Sequence, residues 1–155
     1  MRFSEQYAHP YVIKPADAQA GVDGDSVHMG KLHSLAYTFA FGAVTGDAVL
    51  KFYVGATAGT KTTAVAFKYR LSAADQGAAT ADQFGAFTDV TSSGLTLTAA
   101  TFDNRQVMVE FDSQAIPDST PWLTPELSDA ASVLFVSCVA AGALREASNV
   151  PASVI

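Results

Sequence analysis

The sequence is short of charge, of cysteine and of long apolar runs, and each shortage excludes something. Charged residues make up 15% of the 155, and 49% are hydrophobic. An average soluble domain carries about 25% charge, and a disordered chain has the opposite balance, rich in charge and poor in apolar residues. A single cysteine, Cys138, rules out an internal disulfide framework. No apolar run nears the roughly 18 residues that span a bilayer; the most apolar stretch, residues 133–144, is interrupted by Ser137, Cys138 and Gly142, so no membrane partner is expected. The opening MRFSEQYAHP has no apolar segment of the secretory kind, and no such leader is expected. Nine basic residues stand against fifteen acidic ones, for a net charge of −6, and they are scattered from Arg2 to Arg145. Nucleic-acid binding needs clustered Lys and Arg and is not expected either.

What is present is enough for one domain with its own core. With so few charges, its surface is either built from Ala, Thr, Ser and Gly or covered by partner subunits.

The dominant pattern has period two. Leu35, Tyr37, Phe39 and Phe41 alternate with Ser34, Ala36, Thr38 and Ala40, which predicts a strand with one large apolar face and one small-residue face. After the turn Thr45-Gly46-Asp47 a second run, residues 48–54, places Leu50, Phe52 and Val54 on one face, and the two runs read as a hairpin. Residues 55–61 read as a small-residue loop and 62–71 as one strand, with Val65, Phe67, Tyr69 and Leu71 on one face. Residues 72–83 read as a surface loop or short helix. Weaker strands are expected over 84–90 and 95–98, and a clear one over 105–111 with Val107, Val109 and Phe111 inward. Residues 113–130, with Pro117, Pro121, Pro125 and the lone Trp122, read as an irregular crossing segment. Residues 132–140 are apolar on both faces and are expected to form a central strand covered on both sides. Residues 15–30, rich in Gly and Asp, read as loop, and 147–155 as a last edge strand. The total is about eight strands with turn signals at sandwich spacing and no helical periodicity. The expected fold is all-β: a single antiparallel two-sheet β-sandwich over residues 16–155, of jelly-roll type, preceded by an N-terminal arm over residues 1–15; alternation alone does not separate a jelly roll from an immunoglobulin-like sandwich, although the paired cysteines of true immunoglobulin domains are missing.

Candidate chemical motifs are weak. The segment from Gly55 to Thr62 resembles a phosphate-binding loop, but Thr60 stands where the second glycine belongs and a strand rather than a helix follows. Asp23-Gly24-Asp25 has carboxylates for calcium without the spacing of a calcium loop, and reads as a turn. His9, His28 and His33 are not spaced for zinc, and no nucleophile elbow gives a Ser-His-Asp arrangement any specificity. Cys138 reads as a core residue. Trp122 with Tyr69, Phe84 and Phe87 is a candidate sugar platform, although aromatics in sandwiches more often fill cores. No catalytic residue, metal site or cofactor is assigned, and an enzyme is not expected.

The arm carries Arg2, Phe3, Tyr7 and Tyr11 ahead of the first strong strand. Exposed aromatics on a free arm are a liability, so it is expected to dock, on its own sheet or on a neighbouring subunit.

Four blocks carry a resemblance. They are the leader Met1-Arg-Phe-Ser-Glu-Gln-Tyr7, the block 39–57 ending in Val-Gly-Ala-Thr, the segment Thr63-Ala-Val-Ala-Phe-Lys-Tyr-Arg70 with the Ala/Asp/Gly loop after it, and residues 95–112. Together they resemble the head decoration, or auxiliary cement, proteins of tailed bacteriophages, which are encoded near the major capsid gene. The ending Pro151-Ala-Ser-Val-Ile155 departs from that pattern, where an aromatic or arginine near the end is usual. The resemblance implies a virion protein without enzymatic activity, made in the bacterial host cytoplasm. It implies a homo-oligomer, a trimer, that binds the major capsid protein on the capsid exterior and stabilises the shell, and it carries over no functional residues; from the arm itself, Arg2, Phe3, Tyr7 and Tyr11 are expected to supply capsid or subunit contacts. The rival readings are a carbohydrate-binding jelly roll of a fibre or attachment device, and another virion part such as a head–tail connector or tail protein.

Overall fold

The computed structural model describes residues 6–145 and 154–155. It contains thirteen strands: β1 Tyr7–Ala8, β2 Tyr11–Asp17, β3 Val22–Asp23, β4 Val27–His28, β5 Leu32–Val44, β6 Ala48–Gly55, β7 Thr63–Val65, β8 Phe67–Leu71, β9 Thr88–Val90, β10 Leu95–Leu97, β11 Gln106–Asp112, β12 Trp122–Leu127 and β13 Leu134–Leu144. One helical turn, α1 Ala99–Phe102, sits between β10 and β11.

The strands form two antiparallel sheets. Sheet A runs β1-β13-β5-β11-β8-β9, with β2 beside β1 on the same flank of β13. Sheet B runs β10-β6-β12-β3, with β4 continuing β3 along β12 and β7 beside β10 on β6. Four pairings nest inside one another: β2 with β13, β3 and β4 with β12, β5 with β11, and β6 with β10. One long two-stranded ribbon has been folded over so that successive segments fall in alternate sheets. That is jelly-roll winding, which the alternation of apolar residues alone does not distinguish from other sandwiches. In the excursion between β6 and β10, β7 joins sheet B, and β8 and β9 widen sheet A beyond the four strands of the ribbon.

The core lies between the sheets. From β5 come Leu35, Tyr37, Phe39 and Phe41, all at most 1% exposed, and from β6 come Leu50 and Phe52, both fully buried. The Phe52 ring lies 5.1 Å from Tyr37, 5.0 Å from Phe67 and 4.9 Å from Phe111, so it joins both sheets through tilted and edge-on aromatic contacts.

Several expectations are corrected. The runs 34–41 and 48–54 are not a hairpin: β5 belongs to sheet A and β6 to sheet B. Both bury large side chains in the same core, so they face each other across it, and the tight turn at Gly46 carries the chain from one sheet to the other. The run 62–71 is likewise split, because at Ala66 the chain leaves sheet B as β7 and enters sheet A as β8. Residues 15–30 are not loop throughout. They hold the end of β2 and all of β3 and β4, two-residue strands too short to show period two.

The proline-rich crossing segment contains β12, an inner strand of sheet B. Pro125 is tolerated there because its carbonyl faces Gly24, whose N–H it accepts at 2.8 Å. The missing N–H of Pro125 therefore faces the break between β3 and β4 and costs no ladder bond. Pro15 sits on the edge strand β2, where the pairing to β13 shifts register. The proposed last strand, 147–155, lies outside the described residues except for its final two. Of these, Val154 is buried and accepts a hydrogen bond from the His28 N–H at 2.7 Å.

Candidate functional site: the outer faces of the two sheets

Residues 7–17 do not stand apart from the sandwich. β1 and β2 form one interrupted edge strand on β13, with Tyr7 opposite Ala143 and Tyr11 opposite Val139. The break falls at His9–Pro10, where the Pro10 carbonyl accepts the Ala140 N–H at 3.0 Å. The inward side of this strand buries Val12 and Ile13. The outward side leaves Tyr11 47% exposed and sets Tyr7 over a hollow shared with Ser34, Ala36, Glu110 and Asp112. Arg2 and Phe3 lie outside the described residues.

Tyr11 stands at one end of a row of outward side chains. Across sheet A, strand by strand, the row reads Tyr11, Val139, Thr38, Met108, Arg70. The next row reads Ala141, Ala36, Glu110, Lys68, Asp89. The centre of the face, over β13 and β5, is therefore free of charge, and the ionised groups begin at β11. Exposed Phe135 borders the same face beside a second hollow with Ala16, Ala40 and Ser137. The expectation that β13 is covered on both sides is half right. Leu134, Val136, Cys138 and Ala140 are buried in the core. Their outward neighbours Ser137, Val139 and Ala141 are only partly covered.

Sheet B turns a different face outward. Lys61, from the hairpin tip 55–61, donates to both carboxylate oxygens of Asp23, at 2.8 and 2.9 Å, and also to Glu126 of β12. The hydrogen bonds that Lys61 donates to Asp23 and then to Glu126 hold its ammonium above its usual pKa. The Tyr53 hydroxyl leans toward Glu126 at 3.5 Å. Two weak motifs, the phosphate-loop-like segment and the Asp-Gly-Asp turn, thus meet as one ion-pair cluster whose lysine neutralises the carboxylate a metal would need. Below it the buried hydroxyls of Ser26 and Thr124 share a 2.7 Å hydrogen bond, and the Gly59 N–H donates to Ser26 Oγ at 2.8 Å, pinning the hairpin tip to the sheet. No group of three or more His, Cys, Asp or Glu among the described residues is placed to hold a metal.

The remaining candidates are dispersed. Cys138 is fully buried, and burial holds its thiol far above its usual pKa, which suits core packing and not nucleophilic attack. His28 packs edge-on against Trp122 at 4.8 Å, and its Nδ1 has no hydrogen-bond partner among the described residues. Burial and then the nearby Lys31 charge lower its pKa. The four aromatics proposed for sugar binding do not form one platform. Trp122 lies in sheet B, Tyr69 packs toward Phe102, and exposed Phe87 stacks under Arg70 at 5.0 Å. The chemistry-bearing groups are thus scattered, and the coherent surface feature is the uncharged face of sheet A. Its aromatic rim was visible in the sequence, but the contribution of β13 to it was not. No helix among the described residues is long and apolar enough to cross a membrane.

No family model matches the chain, and no curated protein matches it. Among solved structures it is similar to the crystal structure of the infectious bursal disease virus VP2 subviral particle, at 14% identity and a TM-score of 0.22. It is similar also to the structure of the infectious bursal disease virus Gt strain, at 13% identity and the same TM-score. Each similarity covers 96% of this chain and 43% of the other, so the chain spans less than half the length of the proteins it matches. At that TM-score neither carries weight for function.

Proposed function

We propose that this chain is a structural subunit of a phage virion that decorates the capsid exterior and stabilises the shell as an oligomer, a trimer in the family it resembles. The reading assigns no catalysis, cofactor, nucleic acid or membrane, and its partner is the major capsid protein. The observation that carries it is the stretch of the sheet A outer face over β13 and β5, which presents no charge and has Tyr7 and Tyr11 along its edge. Surfaces of that kind are used for contact with other protein. Stabilisation follows by mass action, since a protein that binds the assembled shell and not its free subunits favours the shell.

The test is co-sedimentation with shells assembled from the major capsid protein of the phage that encodes this chain. Because residues 7–17 pair with β13, the contact is probed by side-chain replacement and not by deletion. The expected result is that the wild type pellets with the shells and raises their melting temperature, and that Tyr7→Ser with Tyr11→Ser weakens binding while the circular dichroism spectrum is unchanged. A wild-type protein that stays in the supernatant overturns the proposal.

A further inference from the structure

We infer that His28 and Trp122 form a proton-operated cover on the outer face of sheet B. The neutral imidazole packs against the indole, and the imidazolium swings away into water and bares it.

The backbone fixes where the two rings stand. β4 and β12 pair with His28 opposite Trp122 and Val27 opposite Leu123. Val27 and Leu123 are fully buried, so the alternation of the strands turns His28 and Trp122 outward. Met29, on the other side of His28, is buried too, and its N–H donates to the Pro121 carbonyl at 2.8 Å. The His28 N–H donates to the Val154 carbonyl at 2.7 Å. The main chain is thus anchored on both sides of His28, and the side chain is the part free to answer a change of charge.

The ring has a seat made for its uncharged form. It meets the indole edge-on, with centroids 4.8 Å apart and planes at 81°. It also lies over Gly30, where a Cβ would come within 2.7 Å of His28 Cε1 and 3.0 Å of Nδ1. In that seat Nδ1 is buried and has no hydrogen-bond partner among the described residues. A neutral imidazole can leave Nδ1 unprotonated, but an imidazolium carries N–H on both nitrogens. The seat then holds a buried charged donor with no acceptor, which is costly. Swinging into water removes that cost and gives up only the contacts with Trp122 and Gly30.

The surroundings do not rescue the packed cation. Lys31, in the turn that follows, has the same sign. On the β12 side Trp122 and Pro121 carry no ionisable group, and neither do the side chains of Val154 and Ile155. Asp23 and Glu126, further along the sheet, are taken up by Lys61. Burial and then the Lys31 charge lower the pKa of the packed ring, against the weaker pull of its own carbonyl. The released ring titrates near the ordinary value of about 6.5. Above that pH the packed position is favoured, and it gives way as the pH falls through the lowered value. Each unit of lowering favours the released position about tenfold once the ring is protonated.

Trp122 is the only tryptophan in the sequence, so its fluorescence reads this site alone. The experiment follows the emission maximum and acrylamide quenching of the full chain from pH 7.5 to 4.5. The His28 ring is titrated by NMR over the same range, and circular dichroism monitors the fold. Emission is expected to move to longer wavelength and quenching to rise along a one-proton curve. Its midpoint should match that of His28, below 6.5, while the circular dichroism spectrum stays constant. His28→Phe should keep the neutral-pH emission throughout, and Lys31→Gln should raise the midpoint. Gly30→Ala, whose added carbon takes the place of the ring, should show the red-shifted, quenchable tryptophan already at pH 7.5. Emission that stays fixed while His28 takes up its proton overturns the inference. So does a shift that persists in His28→Phe, a shift that coincides with loss of the circular dichroism signal, or a Gly30→Ala protein with wild-type emission at pH 7.5.

Discussion

Phe52 is the point where truncation should hurt the fold most. It is fully buried on β6 of sheet B, and its ring is within 6.1 Å of four aromatic rings of sheet A across the core. Phe52→Ala removes the transfer free energy of the ring and leaves a cavity whose walls are strands held by ladder bonds, so they collapse poorly. Phe→Ala in such cores costs about 3–5 kcal/mol, and the loss of aromatic contacts places this site at the upper end of that range. A domain of this kind has about 5–15 kcal/mol in total. With a urea slope of about 2 kcal/mol/M, the unfolding midpoint should fall by about 2 M. The assay is urea unfolding followed by tryptophan fluorescence and circular dichroism, at two protein concentrations so that association is not mistaken for stability. Exposed Phe87 is the control, and Phe87→Ala should cost under about 0.5 kcal/mol. A Phe52→Ala loss below about 1.5 kcal/mol with an unchanged slope would refute the idea that this ring joins the sheets.

Three further outcomes follow from the same geometry. The Cys138 thiol should resist thiol reagents in the native protein and react on unfolding. Its folded pKa lies above its unfolded value, so stability should fall as the pH rises past about 8.5, where the unfolded thiol begins to ionise. His28 is shifted the other way: its stabilisation is present above about pH 6.5 and is lost as the pH falls through the lowered folded value. Urea midpoints at pH 7.5 and 5.5 should differ more in the wild type than in His28→Phe. Gly55→Ala should destabilise by more than about 2 kcal/mol, since a Cβ there would sit 2.0 Å from the Thr60 carbonyl oxygen; the readout is thermal unfolding, with Gly85→Ala, where the added carbon would meet only the Leu71 carbonyl oxygen at 3.7 Å, for comparison.

The parts of the fold legible in the sequence were the strands whose inward residues are large. In β5, β6 and β11 the alternation of Phe, Tyr, Leu and Val with Ala, Thr and Lys marks the core face directly, and Val107, Val109, Phe111 and Phe52 are buried as that alternation requires. What stayed hidden is local pattern overridden by neighbours. β12 carries Pro121 before it and Pro125 within it, and only the interrupted partner strand makes the second proline harmless. β3 and β4 contribute two residues each, too few for any period. The split of 63–71 at Ala66 is invisible because both halves present the same alternation to one core. The candidate face was half legible. The small side chains on β5 were plain, but that β13 lies beside it with its own small side chains outward depends on a pairing between distant segments.

The nested ribbon also sets an order of events in time. The innermost pair, β6 with β10, joins Leu50 to Leu95, a much shorter separation than that of Asp17 of β2, which meets Phe135 of β13 only after nearly the whole domain has been made. At roughly 5–20 residues per second of synthesis, the first strand waits on the order of ten seconds for its partner. During that wait Tyr7, Tyr11, Val12 and Ile13 are unsheltered, and the newborn chain depends on the prolines and lysine of that segment to keep it from pairing with the wrong strand.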